Sequence, residues 1–152
     1  MTEQEKQLLL IDLCARLPYS VKVNYNDLEG ADYTLSIKLL SQFPEEKLKP
    51  YLRPMSSMTE EEKKELVNLY FARTNQYRKD FVIKETEYVL DSCWYIQIAY
   101  KDNSNDERTS NLYVGRCSSI EEVDWLNAHH FDYRMLIEKG LALEAPDGMY
   151  KF

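Results

Sequence analysis

Glycine is scarce in this chain: 4 of 152 residues, at positions 30, 115, 140 and 148. Four separated glycines cannot build the loop that wraps a phosphate in backbone N–H groups, so no nucleotide-type cofactor is expected. Cysteine is equally sparse. Cys14, Cys93 and Cys117 are odd in number and widely spaced, and no pair has the short spacing of a zinc or redox motif. They read as thiols packed as small hydrophobes in a reducing cytoplasm. Apolar runs are short, reaching four residues at Leu8 to Ile11, far below the ~20 of a membrane-spanning helix. The first residues, Thr2, Glu3, Gln4 and Glu5, lack a basic stretch, so a secretory signal is not expected. Positive charge is also in deficit. The formal net charge is −7; residues 1–90 hold 13 Lys and Arg against 15 Asp and Glu, and residues 91–152 hold 6 against 11. Nucleic-acid binding rests on cations over phosphates, and this balance argues against it.

What is present is ordinary for a folded protein: 44% hydrophobic and 30% charged residues, which excludes general disorder. The length fits one globular domain, residues 1–152. Three capping-box spacings mark helix starts: Thr2 with Glu5, Thr59 with Glu62, and Ser119 with Glu122. After the first come Leu9, Leu10, Leu13 and Leu17 at helical spacing, widened by Ile11 and Cys14, until Pro18 stops the helix. Val21, Val23 and Tyr25 then alternate with polar residues, and Tyr33, Leu35, Ile37 and Leu39 resume the alternation, which reads as a hairpin over 21–39. Residues 41–58 carry Pro44, Pro50 and Pro54 and are expected to be irregular, neither one helix nor a central strand, with Lys49 to Met58 running extended. A second helix follows Thr59 with Leu66, Val67, Leu69, Tyr70 and Phe71 and runs towards Arg78.

A second hairpin region covers 86–114. Trp94, Ile96, Ile98 and Tyr100 alternate along it, residues 102–106 make a polar turn, and Leu112 and Val114 lie on the return. Ile120, Val123, Trp125 and Leu126 mark a short helix, and Tyr133 to Lys139 another with Gly140 as its C′ residue. Asp132 is placed to cap that helix, with Trp125, Phe131 and Leu136 in one cluster. Leu141 and Leu143 suggest a last edge strand. The order gives an α+β fold: an N-terminal helix, two antiparallel hairpin regions separated by a helix, and short C-terminal helices.

Side chains that could carry chemistry are few. His129, His130 and Asp132 are the one cluster of metal-type residues. Adjacent helical residues point ~100° apart, and a zinc site wants three or four converging ligands, so no metal is assigned. A thiol nucleophile would use Cys117 or Cys93 with one of the histidines; only Arg116 beside Cys117 favours it. Lys63, Lys64, Arg73, Arg78, Lys79 and Lys84 form a basic stretch, but Glu60, Glu61, Glu62 and Glu65 share it. Tyrosine is frequent, at 12 residues, and suits half-buried sheets and recognition surfaces alike.

Three stretches carry a resemblance. They are Asp12 to Tyr19 (DLCARLPY), Lys49 to Thr59 (KPYLRPMSSMT), and Asp124 to Ala142 (DWLNAHHFDYRMLIEKGLA). Together they resemble a family of small proteins of gut Bacteroidetes, common among prophage and mobile-element genes. Ser20 and Met135 stand where that family carries glycine. The resemblance implies a setting and no catalytic residues. It also implies a constant frame with exchangeable surfaces between the matching stretches.

The reading that follows is a cytoplasmic, noncatalytic protein-interaction or accessory module with an unidentified protein partner. Tyr51, Arg53, His129, His130 and Tyr133 are its candidate binding residues. Tyrosine and arginine are enriched where interfaces hold their binding energy. Packing of Tyr51 and Leu52 onto the protein's own sheet is the competing expectation. The alternatives are a small Cys/His enzyme and a weak nucleic-acid binder using the Lys63 to Lys84 stretch.

Overall fold

The computed structural model describes residues 1–26, 30–74, 81–90, 93–102, 104–115 and 118–151. The fold is α+β, with four α-helices and two sheets among the described residues. The chain packs as two compact units: residues 1–54 with 127–152, and residues 55–126.

In the first unit, helix α1 (Glu3–Arg16) opens as its sequence dictates. Thr2 Oγ1 accepts the Glu5 N–H at 3.1 Å and Glu5 reaches back to the Thr2 N–H at 2.8 Å. Strands β1 (Lys22–Tyr25), β2 (Asp32–Thr34), β3 (Leu48–Leu52) and β7 (Leu143–Glu144) form a sheet in the order β2-β1-β3-β7. Leu9 and Leu13 of α1 share one core with Val21, Val23, Leu48, Leu52, Leu136 and Leu141. The rest of the expected stripe turns away: Leu10 is 41% and Ile11 52% exposed, and Cys14 is exposed. The buried stripe is instead Leu9, Asp12, Leu13 and Arg16, at the i, i+3, i+4, i+7 positions of one helix face. Gly30 closes the β1–β2 hairpin, because a Cβ there would stand 2.3 Å from the Tyr25 carbonyl oxygen.

Other expectations for this unit are corrected too. Ile37 and Leu39 are not strand residues: helix α2 (Ile37–Gln42) starts there, with Ser36 Oγ accepting the Leu39 N–H at 3.1 Å. Leu35, Leu39 and Phe43 fit a helical period as well as alternation fits 33 to 39, and the Ser36 cap decides. Residues 48–52 are an inner strand despite Pro50. β3 pairs antiparallel with β1 and parallel with β7. The Asn26 N–H donates to the Lys47 carbonyl at 2.9 Å, which sets the alternation and makes Val23 and Pro50 a non-hydrogen-bonded pair. The missing donor of Pro50 therefore faces away from β1, towards the side where β7 partners only Tyr51 and Leu52.

Residues 133–139 form turns rather than the expected helix. Met135 has φ +60°, and a left-handed residue cannot continue an α-helix. Gly140 is nonetheless a C′ residue with φ +73°: its N–H bonds the Ile137 carbonyl and the Leu141 N–H bonds that of Leu136, the paired bonds of a Schellman close. Ser20 also has a positive φ, +57°. The two positions where the resembled family carries glycine are thus both left-handed. Ser20 is exposed, so Ser20→Gly removes strain and loses no packing. It is expected to stabilise the chain by about 0.5–1 kcal/mol, read as a higher urea midpoint at unchanged slope. Met135 is buried, and glycine there would also lose apolar contact.

In the second unit, α3 (Glu60–Thr74) starts on the Thr59–Glu62 capping box. It buries Leu66, Val67 and Phe71, and the Phe71 ring meets Tyr100 edge-on at 5.7 Å. Its expected run towards Arg78 lies outside the described residues. Strands β4 (Val82–Leu90), β5 (Cys93–Lys101) and β6 (Glu107–Val114) make an antiparallel meander, separate from the first sheet. Trp94, Ile96, Ile98, Leu112 and Val114 are buried, as their alternation foretold. Helix α4 (Ile120–Ala128) begins at the Ser119–Glu122 capping box. Here Ile120 is 77% exposed, against its place in the expected apolar pattern, and the capping Glu122 is buried. Trp125 turns its indole N–H to Glu65 of α3 at 3.1 Å. Leu136, by contrast, belongs to the core of the first unit.

Candidate functional site

The five expected binding residues all belong to the first unit. The backbone ties four of them to one place: beyond the end of β3, the Arg53 N–H donates to the His130 carbonyl at 2.7 Å, and the Arg53 carbonyl accepts from the Asp132 N–H at 2.9 Å. The Arg53 guanidinium lies 4.2 Å from the Phe131 ring centroid and donates to the His129 carbonyl at 3.3 Å. Arg53 and His129 are half-buried, whereas Tyr51, His130 and Tyr133 are buried. Tyr51 lies on the opposite face of β3 from Leu52, with its hydroxyl 3.0 Å from Asp32 Oδ1, where Asn24 Nδ2 also donates at 2.7 Å.

Beneath this edge lies a polar cluster that sequence reasoning missed. Asp12 and Arg16, one helical turn apart on the buried face of α1, pair at 2.8 Å, both fully buried. Arg134 reaches the other Asp12 oxygen at 2.7 Å. The Arg16 Nη2 donates to the Phe131 carbonyl at 2.7 Å. Both arginines lie over the Tyr133 ring, at 5.4 and 4.6 Å, and the Tyr133 hydroxyl donates to Asn127 Oδ1 at 2.9 Å. Asp132 accepts the N–H groups of Leu136 and Ile137 at 2.8 and 2.9 Å. It caps the turn after the left-handed Met135, further along than a helical N-cap would reach. Burial raises the pKa of both Asp132 and Tyr133.

His130 stands just past α4 at φ +61°, so the two histidines are not consecutive helical residues. Its ring stacks on Tyr150, 3.7 Å between centroids and 19° between planes. Burial, with the nearby charges of Arg16, His129 and Arg53, lowers its pKa to about 4. It is therefore a neutral ring at neutral pH, without the proton a general acid would deliver there. Tyr150, which no sequence pattern singled out, acts as a wedge between strands. Its hydroxyl accepts the Lys22 N–H at 2.8 Å and donates to the Tyr51 carbonyl at 2.7 Å, bridging the place where the β1–β3 ladder would next close. Burial pushes its pKa up to about 12.

Among the described residues no three His, Cys, Asp or Glu side chains converge to hold a metal. Cys117 lies outside the described residues. A cleft of about 390 Å³ opens near the start of β3, lined by Asn26, Glu46, Lys47, Lys49 and Lys139 among others; none of the five expected residues borders it. No helix of the described residues is long and apolar enough to cross a membrane.

The three stretches that carry the resemblance meet in this cluster: Asp12 and Arg16 from the first, Arg53 from the second, His129 to Arg134 from the third. One signal could have found it. Asp12 and Arg16 share the i, i+3, i+4, i+7 face with Leu9 and Leu13, where a charged pair reads as buried. Comparison with family models, with curated proteins and with solved structures finds no match.

Proposed function

We propose that this chain is a noncatalytic protein-interaction module, the accessory protein of a prophage or mobile element that its resemblance implies. The observation that carries the reading is the outer face of α1. Gln7, Leu10, Ile11 and Cys14 are exposed at i, i+3, i+4 and i+7. They form an uncharged, largely apolar stripe on the back of a helix whose other face is already buried in its own core. A helix presenting such anchors is the form in which one protein fills the groove of another. The polar cluster supports the same reading from the chemical side. Its carboxylates, arginines and tyrosine are engaged in holding three segments together, and His130 is neutral under a tyrosine ring.

The test is a paired capture. Tagged wild-type chain and the Leu10→Gln, Ile11→Gln double variant are expressed in the cells that carry the gene. Both positions are solvent-facing, so the two proteins should share one melting temperature. The wild type should capture a partner and the variant at least tenfold less. Equal capture by both, or no captured protein for the wild type, would overturn the reading.

A further inference from the structure

Among the described residues, four strands border the two sheets: β2 and β7 in the first unit, β4 and β6 in the second. An edge strand offers a row of unpaired N–H and C=O groups to any other strand, and proteins blunt such edges. Three of these four are blunted. β2 is three residues long and β7 two. β4 has nine residues, but its register breaks twice, between Ile83 and Glu85 and between Thr86 and Tyr88, and it carries the exposed Lys84. β6 carries charges, Glu107 and Arg108, only at its first two positions. It runs eight residues in unbroken register with β5, without proline or glycine, and Thr109 to Val114 are uncharged. Its one cation, Arg108, is drawn back to Asp102 at 2.9 Å.

The bonding alternation shows which groups face out. The Asp102 N–H donates to the Asp106 carbonyl at 2.9 Å, so the even-numbered residues of β6 bond β5 and the odd-numbered ones face the open edge. Ser118 agrees with that parity: its hydroxyl accepts the Gly115 N–H at 3.1 Å and donates to the Tyr113 carbonyl at 3.4 Å, closing the far end of the edge. Among the described residues, the N–H and C=O of Thr109 and Asn111 are left pointing outward, both on exposed residues.

We propose that β6 is a self-association edge, at which a second copy of this chain adds its own β6 antiparallel through Thr109 and Asn111 to make a six-stranded sheet. The site lies on a different unit from α1, and the inference goes beyond the function proposed above. A copy fits for three reasons. An antiparallel pair of identical strands is related by a twofold axis normal to the sheet, which puts Leu112 and Val114 of both copies on one buried side. The uncharged run meets an uncharged run, while both Arg108 side chains stay tied to their own Asp102. Chains of net charge −7 repel at most approaches, and this stretch is free of that cost. Backbone pairing alone is a small interface, so the association is weak and concentration-dependent, and it strengthens with salt as the repulsion is screened.

Sedimentation equilibrium of the full chain, from micromolar to near-millimolar concentration, tests this. The mass should rise from one chain towards two, and rise further at high salt. Asn111→Pro deletes an outward N–H that β5 does not use, a placement proline tolerates at a sheet edge. Asn111→Lys sets two cations near the twofold axis and leaves every ladder bond in place. Each should keep the wild-type circular dichroism and weaken association at least tenfold, while Leu10→Gln, Ile11→Gln leaves it intact. A wild type of single-chain mass throughout, association that survives both Asn111 variants, or association lost in the α1 variant would overturn the proposal.

Discussion

Asp12→Ala is expected to lower the unfolding free energy by about 3–5 kcal/mol, the range for breaking a buried ion pair from one side. Asp12 is fully buried and bonds Arg16 at 2.8 Å and Arg134 at 2.7 Å. Its removal strands the Arg16 guanidinium, which is also fully buried. Arg16 keeps the Phe131 carbonyl and the Tyr133 ring face, but neither carries a formal charge. Its Nη1 already has no hydrogen-bond partner among the described residues, so no spare contact takes up the loss. Arg134→Ala should cost much less, since that side chain is 21% exposed and its departure leaves Asp12 with Arg16. Replacing Asp12 and Arg16 together by Leu and Met should cost less than Asp12→Ala alone, because no stranded charge remains at either position. Urea unfolding of the four proteins, followed by circular dichroism, checks the order. An Asp12→Ala loss no greater than that of Arg134→Ala would remove the pair from the centre of this unit.

A second large effect is the response to acid. His130 titrates near pH 4 in the folded chain and near 6.5 when unfolded. Between those values the unfolded chain binds a proton that the folded chain refuses. Its contribution is thus fully present above about pH 6.5, shrinks as the pH falls, and is lost by about pH 4. The full drop is roughly 3 kcal/mol. Arg16, His129 and Arg53, the charged or titratable neighbours that bear on the ring, all oppose its protonation. Asp132 works the other way. Its raised carboxyl pKa means the folded chain takes up a proton before the unfolded one does, which returns some stability at the acid end. His130→Phe keeps a ring to stack on Tyr150 and removes the titration. The melting temperature of the wild type should fall steeply from pH 6.5 to pH 4, and that of the variant should fall much less. Parallel curves would place the acid response elsewhere.

Much of the fold could be read in advance where a local pattern and its physical cause are contiguous. The three capping boxes form as spaced, because both partners lie within one turn. The β5–β6 alternation holds because each strand has one buried face, and a one-residue slip would turn every apolar side chain outward. Gly140 behaves as a C′ residue. The errors share a cause. Leu10 and Ile11 look as apolar as Leu9 and Leu13, and a stripe spaced every three or four residues does not say how wide its covered part is. Pro50 argued against an inner strand, but only the register with β1 reveals which side its missing donor faces. Of the five expected binding residues, four meet as one neighbourhood, yet His130 and Tyr133 are inside it and only Arg53 and His129 reach its surface, while Tyr51 is buried apart from them beside Asp32. Tyrosine and histidine are built for either role, and burial depends on what arrives from far along the chain.

By itself, then, the sequence determined the α+β class, the helix starts and the alternating strands of the second sheet, since each follows from residues within a few positions of one another. Tertiary structure decided the rest. It put Asp12 beside Arg134 at a separation of 122 residues, set the Tyr150 hydroxyl between β1 and β3, and left β6 as an edge strand in unbroken register. Those outcomes turn on which charges lose their water together and which backbone groups find a partner. Such quantities belong to the packed chain, because desolvation and ladder pairing depend on neighbours in space that no local spacing names.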